Sequence, residues 1–390
     1  MNRSAAGVLR RGFSLIELLV TMTIGLVVTL AVTSALIRND GALRGAASLN
    51  DIDHAASTAV FAVDRAIRSA GSGFSQSWRS VFGCLLDVSQ HGAPLLPPRS
   101  ETSVDKVLPD PMQVRLAPVV IGKGFADTST ETRGDVLTIM SGTSGMREAA
   151  TSVDAIDGNV LALPNTLGFR AHDLILLASE ATPGGCMVQQ VENVIASSGQ
   201  LVLGGDYYAA RGTNHETRDF SRAAVVMQLG GDNNFPQLQR FGVGAHQTLL
   251  SHDLLKRAGG DVGVPVAQGV VEMRALYGVN THQPPGGAVD AWIDPAGSGY
   301  GAGFLTDGSV GAKLKLRSIV AVKVGFVMRT PRRQRDDPSP GAPVTLFADV
   351  RGASGESLAY TRRFEAGELA VHHAVIEATI PLRNVLMAPP

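Results

Sequence analysis

Apolar residues are distributed very unevenly along this chain. Residues 13–37 carry one charged side chain, Glu17, and the positions from 18 to 37 carry none. At 1.5 Å per residue a helix over that uncharged run is about 30 Å long, the thickness of a bilayer's hydrocarbon core. Residues 1–12 hold Arg3, Arg10 and Arg11 and no acid. Positive charge is retained on the cytoplasmic side of an inserted helix, so the pattern predicts a cytoplasmic N-terminus, one membrane pass over 13–37 and a periplasmic remainder. A secretory signal has a shorter apolar core followed by small residues at a cleavage site, and neither feature fits here. A carboxylate inside an apolar helix is costly and ordinarily has a partner, which singles out Glu17.

Beyond Arg38 the apolar positions thin out but keep a helical rhythm. Leu49, Ile52, Ala56, Val60, Val63 and Ile67 recur at spacings of three or four, while Asp51, Asp53, Ser57, Asp64, Arg65 and Arg68 fall on the opposite face. No proline precedes Pro94, and the run stops at Gly71-Ser72-Gly73. The pattern predicts an amphipathic continuation over 38–70, and hence a helix over 13–70, about 87 Å long if unbroken. Gly41 and Gly45 either loosen it beyond the membrane, each costing about 1 kcal/mol relative to alanine, or serve as packing glycines.

From residue 71 the pattern changes to short apolar runs separated by Gly, Pro, Asn and Asp clusters. Strands are predicted over 136–140, 174–178, 187–191, 200–203, 223–229, 270–277, 318–329, 344–350 and 375–382. Within 318–329, Val320, Val322, Val324, Phe326 and Met328 alternate onto one face, as in a half-buried strand. Ala374, Ile376, Ala378, Ile380 and Leu382 repeat that alternation. Residues 280–311, rich in glycine, and 330–343 read as long loops. The fold class is therefore α+β: a leader over 1–12, a transmembrane stretch over 13–37, its amphipathic continuation over 38–70, and a β-rich, mainly antiparallel domain over 71–390 on which the helix packs.

Composition narrows the function. With 34 Lys and Arg against 35 Asp and Glu the net charge is -1, so no nucleic acid is expected as a partner. At 18% charged and 44% hydrophobic the chain is too apolar for disorder and too charged for a polytopic membrane protein. It has no phosphate-binding loop, dinucleotide fingerprint or nucleophile elbow, the glycines and serines of 141–145 having the wrong spacing for the last. Neither an enzyme nor a cofactor is expected. His372 and His373 are adjacent on a predicted strand and point to opposite faces, so they cannot easily share an ion. Residues 230–234 and Asp290, Asp294 and Asp307 offer oxygens of the kind calcium prefers, but not at the spacing of a calcium loop, and turn chemistry accounts for them. No metal is expected. Cys84 and Cys186 are the two cysteines; in an exported, oxidising setting they are predicted to bridge, the alternative being two separately buried thiols.

The N-terminal residues carry a resemblance. Arg11-Gly12-Phe13-Ser14-Leu15-Ile16-Glu17-Leu18-Leu19-Val20 is similar to the prepilin processing motif of type IV pilins and type II secretion pseudopilins. The resemblance implies that prepilin peptidase cuts between Gly12 and Phe13 and methylates the new amine of Phe13. It also implies that Glu17 serves assembly by meeting the N-terminal amine of a neighbouring subunit. Many major pilins carry a proline in the apolar part of this helix; here Gly25 and Ser34 occur and no proline, which points away from a bulk filament subunit. Further on, Val270-Val271-Glu272-Met273-Arg274-Ala275-Leu276-Tyr277-Gly278-Val279 resembles a stretch of PilW-type minor pilins. Residues 360–364 and Ile380-Pro381-Leu382-Arg383-Asn384 resemble the closing strands of that family and of J-type minor pseudopilins. In their own terms, Tyr277-Gly278 ends a strand in a turn and Arg383-Asn384 caps the final strand. The implied function is that of a minor type IV pilin in pilus assembly and priming. The implied partners are prepilin peptidase, other minor and major pilins, the inner-membrane pilus assembly machinery and membrane lipid. The implied location is the inner membrane and then the pilus. The alternatives are a J-type minor pseudopilin of a type II secretion system and a pilus-tip adhesin using 280–311.

Overall fold

The computed structural model describes residues 14–96, 114–124, 134–143, 149–179, 185–220, 223–256, 263–282, 287–297, 299–330, 342–364, 368 and 371–389, without the side chains of residues 37–49 and 245. Gly12 and Phe13 lie outside the described residues, as does nearly all of the predicted 330–343 loop. The chain divides into two compact units, Met1–Asp51 and Ile52–Pro390, and the first helix, Leu15–Ser69, supplies residues to both.

In the first unit the helix is apolar and unbroken over Leu15–Leu36, long enough to cross a membrane. Its hydroxyls are turned back onto its own carbonyls: Thr21 on Glu17, Thr29 on Gly25, Thr33 on Thr29 and Ser34 on Leu30, at 2.7 to 2.9 Å. Such back-bonding satisfies polar groups that a hydrocarbon surrounding could not.

In the second unit residues 52–69 of the helix bury one stripe: Ile52, Ala56, Ala59, Val63, Ala66 and Ile67, continued by Ala70 just beyond the helix. The face is the one the periodicity predicts, with Ala59 fully buried in it and Val60 only half-buried. On the other side Asp64 pairs with Arg68 at 2.7 Å across one turn. The helix stops at Gly71, whose φ of +79° is a conformation that a side chain disfavours. Its amide donates to the Met140 carbonyl at 2.8 Å, tying the helix end to the strand Val136–Ser141.

Three sheets share one hydrophobic core with the stripe. A five-stranded antiparallel sheet has the order Val264–Gln268, Thr248–Asp253, Gln237–Gly244, Val136–Ser141, Val119–Gly122. A four-stranded antiparallel sheet has the order Ala291–Ile293, Val270–Val279, Ile319–Arg329, His373–Pro381. A nine-stranded sheet is built around Ala224–Gly230, Leu174–Ser179 and Gly185–Ile195. It contains a parallel pair, Leu85–Gln90 against Gly185–Ile195, with Leu86 opposite Cys186. The Cys84–Cys186 disulfide closes at the head of this pair, with Cα atoms 5.8 Å apart. One core joins all three sheets to the helix through residues such as Ile139, Phe241, Leu176, Val188, Tyr277 and Val324.

Several expectations are corrected by the structure. Residues 280–311 are not a single loop: they hold the strand Ala291–Ile293, a turn of helix at Ala302–Leu305, and the start of the helix Val310–Ser318. The last of these is capped by Ser309, whose hydroxyl accepts from Ala312 at 3.1 Å. Its short apolar stripe was hidden by the surrounding glycines. The predicted strand 344–350 ends at Leu346, because Phe347 takes a φ of +59°. Strands at 85–90, 119–122, 237–244, 248–253 and 264–268 were not read from the sequence; their polar interruptions, such as Gln239, Arg240 and Ser251, break simple alternation. Arg383-Asn384 does not cap the final strand: Asn384 donates to carbonyls at the end of the first helix.

The strand Ile319–Arg329 is buried on both faces rather than one. Its inner residues enter the main core, while Val327, with Leu276 of the adjoining strand, packs outward under Leu346, Phe347 and Val350. Gly325 makes this possible. A Cβ there would lie 2.8 Å from Leu346 and 3.0 Å from the Phe347 ring, both buried. Gly325→Ala is therefore expected to destabilise the domain by about 1–3 kcal/mol through overpacking, read as a lower urea midpoint. The disulfide spans 102 residues, so reduction is expected to cost about 2–5 kcal/mol. Paired denaturation curves with and without reductant measure this.

Candidate functional site

Two regions carry the residues that the sequence singled out. The first is the start of the long helix. Ser14 precedes it, and its carbonyl accepts from the amides of Glu17 and Leu18 at 3.0 and 3.1 Å. Glu17 thus sits in the first helical turn, exposed, with exposed Leu15, Ile16, Leu18 and Leu19 around it. An acid in this turn is favoured by the positive end of the helix dipole.

The second region is the four-stranded sheet, where the stretch 270–279 converges on a buried charge network. Glu272 and Asp135 are each about 2% exposed. Arg274 lies between them, its Nε donating to Glu272 at 2.6 Å and its Nη1 to Asp135 at 3.2 Å. Asp135 also accepts from the amides of Ala275 at 2.9 Å and Gly124 at 3.2 Å. The Tyr360 hydroxyl accepts from Arg274 and donates to Glu272 at 2.8 Å. Arg362 approaches Glu272 at 3.7 Å and donates to Glu368 at 3.0 Å. Three distant segments, around 135, 272–274 and 360–368, are cross-linked in this way.

The electrostatics follow from burial. Desolvation pushes the Asp135 carboxyl above its ordinary value, against the pull of Arg274. Burial opposes the charge on Arg274, but Glu272 and Asp135 outweigh it and hold the guanidinium above its usual value. Glu272 Oε2 and Arg362 Nε, 3.7 Å apart, face each other without a hydrogen bond, while the other contacts are direct, and a largely buried network of this kind fixes which segments meet.

Tyr277 and Gly278 have separate duties. The Tyr277 hydroxyl accepts from the Ile121 amide at 2.6 Å and ties this sheet to the five-stranded one. A Cβ on Gly278 would meet the Trp292 ring at 2.9 Å and Val289 at 3.0 Å. Strand pairing runs through this position to Val279, so the motif continues the strand rather than ending it.

The other candidates are dispersed. Asp290 accepts from the Thr281 amide and hydroxyl, both at 2.8 Å. Asp294 pairs with Lys123 and accepts from Ala296, and Asp307 accepts from Ser309. Each carboxylate is used by its own turn or neighbour, and among the described residues no three metal-ligating side chains gather. His373 is buried and stacked on Phe364, ring centroids 3.7 Å apart. In the sequence, 270–279 and 360–364 stand out only as strand-like stretches, and neither the network nor its members Asp135 and Glu368 can be read there. Asp135 stands alone before an apolar strand, and nothing local marks its partner as 139 residues away.

The comparisons agree with this division. Residues 9–33 match the prokaryotic N-terminal methylation motif, and residues 235–384 match the family described as type IV pilus-assembly protein W. The second match covers the whole four-stranded sheet and every network residue except Asp135. No curated protein and no solved structure gives a match.

Burial depresses the His373 pKa from 6.5 to about 4. The folded state therefore holds a neutral imidazole where the unfolded chain would protonate, and this contribution to stability is present above pH 6.5 and lost as pH falls toward 4. Asp135, with its raised pKa, acts in the opposite sense. His373→Phe keeps the stacked ring and removes the titration. Its unfolding free energy is expected to fall less steeply between pH 6.5 and 4 than that of the parent, as measured by urea denaturation at stepped pH.

Proposed function

The chain is a PilW-type, prepilin-like protein of type IV pilus assembly, and on that premise we propose that it is a minor pilin, cut between Gly12 and Phe13 and methylated on Phe13, that helps to prime the filament. The observation that carries this reading is the methylation-motif match over residues 9–33, which covers most of the apolar helical span Leu15–Leu36, whose one charged residue is Glu17 in the first turn. Residues 1–12 are the leader, 13–37 the membrane-spanning part of the helix, 38–70 its continuation and 71–390 the exported domain. The basic leader keeps the N-terminus cytoplasmic and places the domain in the periplasm. From there the protein passes from the inner membrane into the pilus.

The energetics favour assembly as the role of Glu17. An acidic side chain at the centre of a membrane helix costs about 2.5–3.5 kcal/mol, and less near the interface. Transfer of the helix from bilayer to a filament core keeps it among apolar neighbours, so the hydrophobic term changes little. What changes is the charge partner. N-methylation leaves the Phe13 amine cationic, and a neighbouring subunit's amine can pair with Glu17 where water is excluded and the attraction is strong. The same pairing sets the stagger between helices. Prepilin peptidase, other minor and major pilins, the inner-membrane assembly machinery and lipid are the partners this mechanism requires.

Glu17→Ala is expected to be cleaved and methylated normally but to reach sheared pili at least about tenfold less, the equivalent of about 1.4 kcal/mol of lost pairing. Mass spectrometry of the mature N-terminus and immunoblotting of pili measure both. Parent-level incorporation of the variant, or a mature N-terminus other than methylated Phe13, overturns the reading.

A further inference from the structure

The stripe by which the helix enters the second unit is made largely of alanine: Ala56, Ala59, Ala66 and Ala70 alternate with Ile52, Val63 and Ile67, all buried. Small side chains make shallow ridges, and shallow ridges oppose rotation and axial slip weakly. Apolar burial has no direction of its own. Something more directional is needed to hold the helix in one register.

The segment 382–389 supplies it. The Asn384 amide donates to the carbonyls of Ala70 at 3.0 Å, Ser69 at 3.2 Å and Arg68 at 3.5 Å. They lie at the helix end, where carbonyls lack intrahelical partners; that of Ser69 also accepts from the Ser72 amide at 3.1 Å. The segment is itself held from below. Arg317, 2% exposed, donates through Nη1 to the Val385 carbonyl and through Nη2 to the Ala388 carbonyl at 2.6 Å. From the residues that follow the helix, Trp78 donates to the Pro389 carbonyl at 3.1 Å and Gln76 to the Met387 carbonyl at 3.2 Å. Leu382 and Val385 are fully buried and Ala388 nearly so. Burial lowers the Arg317 pKa, so the segment's carbonyls also compensate a charge that would otherwise be stranded.

We propose that residues 382–389 form a strap that fixes the register of the long helix against the domain, with Asn384 as the positioning residue on the helix end and Arg317 as the buried post that fastens the strap. When the strap is fastened, the three carbonyls can meet the Asn384 amide at only one axial and rotational setting. Its value to a filament subunit rests on the pilin reading above, because a helix that slips in its domain cannot hold a fixed stagger with its neighbours. The strap itself does not depend on that reading.

The test uses the full-length protein in detergent micelles, with spin labels on Ser57→Cys and Val375→Cys, both exposed, and the native disulfide intact. The parent is expected to give one narrow distance distribution. Asn384→Ala and Arg317→Met are each expected to broaden it, or to add a population displaced by about 5 Å, one helical turn. Amides of residues 66–70 are expected to exchange about five- to tenfold faster in the same variants, from loss of the end bonds. Mass mapping of the Cys84–Cys186 link checks that each variant has folded. If Arg317→Met fails that check, Asn384→Ala decides alone. An unchanged distance distribution in folded Asn384→Ala overturns the strap, whether or not Glu17→Ala assembles.

Discussion

Burial of the stripe from Ile52 to Ala70 is the constraint on which the rest of the exported unit is arranged. One helix face has to be covered, and all three sheets contribute residues to the core that covers it. The coverage explains the choice of alanine. Four alanines give the stripe little bulk of its own, and the larger side chains of the shared core come from the sheets, in Phe241, Tyr277, Val324 and Phe326. The cost of this solution is weak register, which the directional bonds from Asn384 offset.

Polar groups do the specifying work elsewhere in the domain. The Asp135, Glu272, Arg274, Tyr360 and Arg362 network adds little net stability by the usual reckoning of buried ion pairs, yet any wrong pairing of its segments would leave a buried charge alone. Tyr277 fixes the junction of two sheets with one hydrogen bond to Ile121. The disulfide marks the head of the parallel pair within the nine-stranded sheet. Each device joins segments that are far apart in sequence, so each acts on topology rather than on local structure.

The two units follow different physical rules. In the first, an uninterrupted apolar surface and hydroxyls satisfied within the helix suit a surrounding without water. In the second, apolar residues turn inward and charges are paired or placed at the surface. Glu17 breaks the rule of the first unit, whereas the buried Asp135 and Glu272 obey that of the second through Arg274. The latter two have partners inside the domain, whereas the pilin reading gives Glu17 a partner in another subunit.

The sequence by itself determined what depends on short-range pattern. The uncharged run, the basic residues before it and the position of Glu17 are properties of neighbouring residues, and the methylation-motif match falls on them. The amphipathic face of 52–67 was legible for the same reason, since 3.6 residues per turn map sequence spacing directly onto a face. What only the tertiary structure decided depends on contacts across long separations. Alternation in 319–329 suggested one buried face, but Leu346 and Phe347 cover the other and demand glycine at 325. Asp135 had no visible partner until the fold brought it to Arg274, 139 residues on. Asn384 read as a strand cap because its target, the end of a helix more than 300 residues earlier, lies beyond any local pattern. Helical and strand periodicities are written in adjacent residues; which buried polar group meets which is settled only when the core closes and every unpaired one becomes costly.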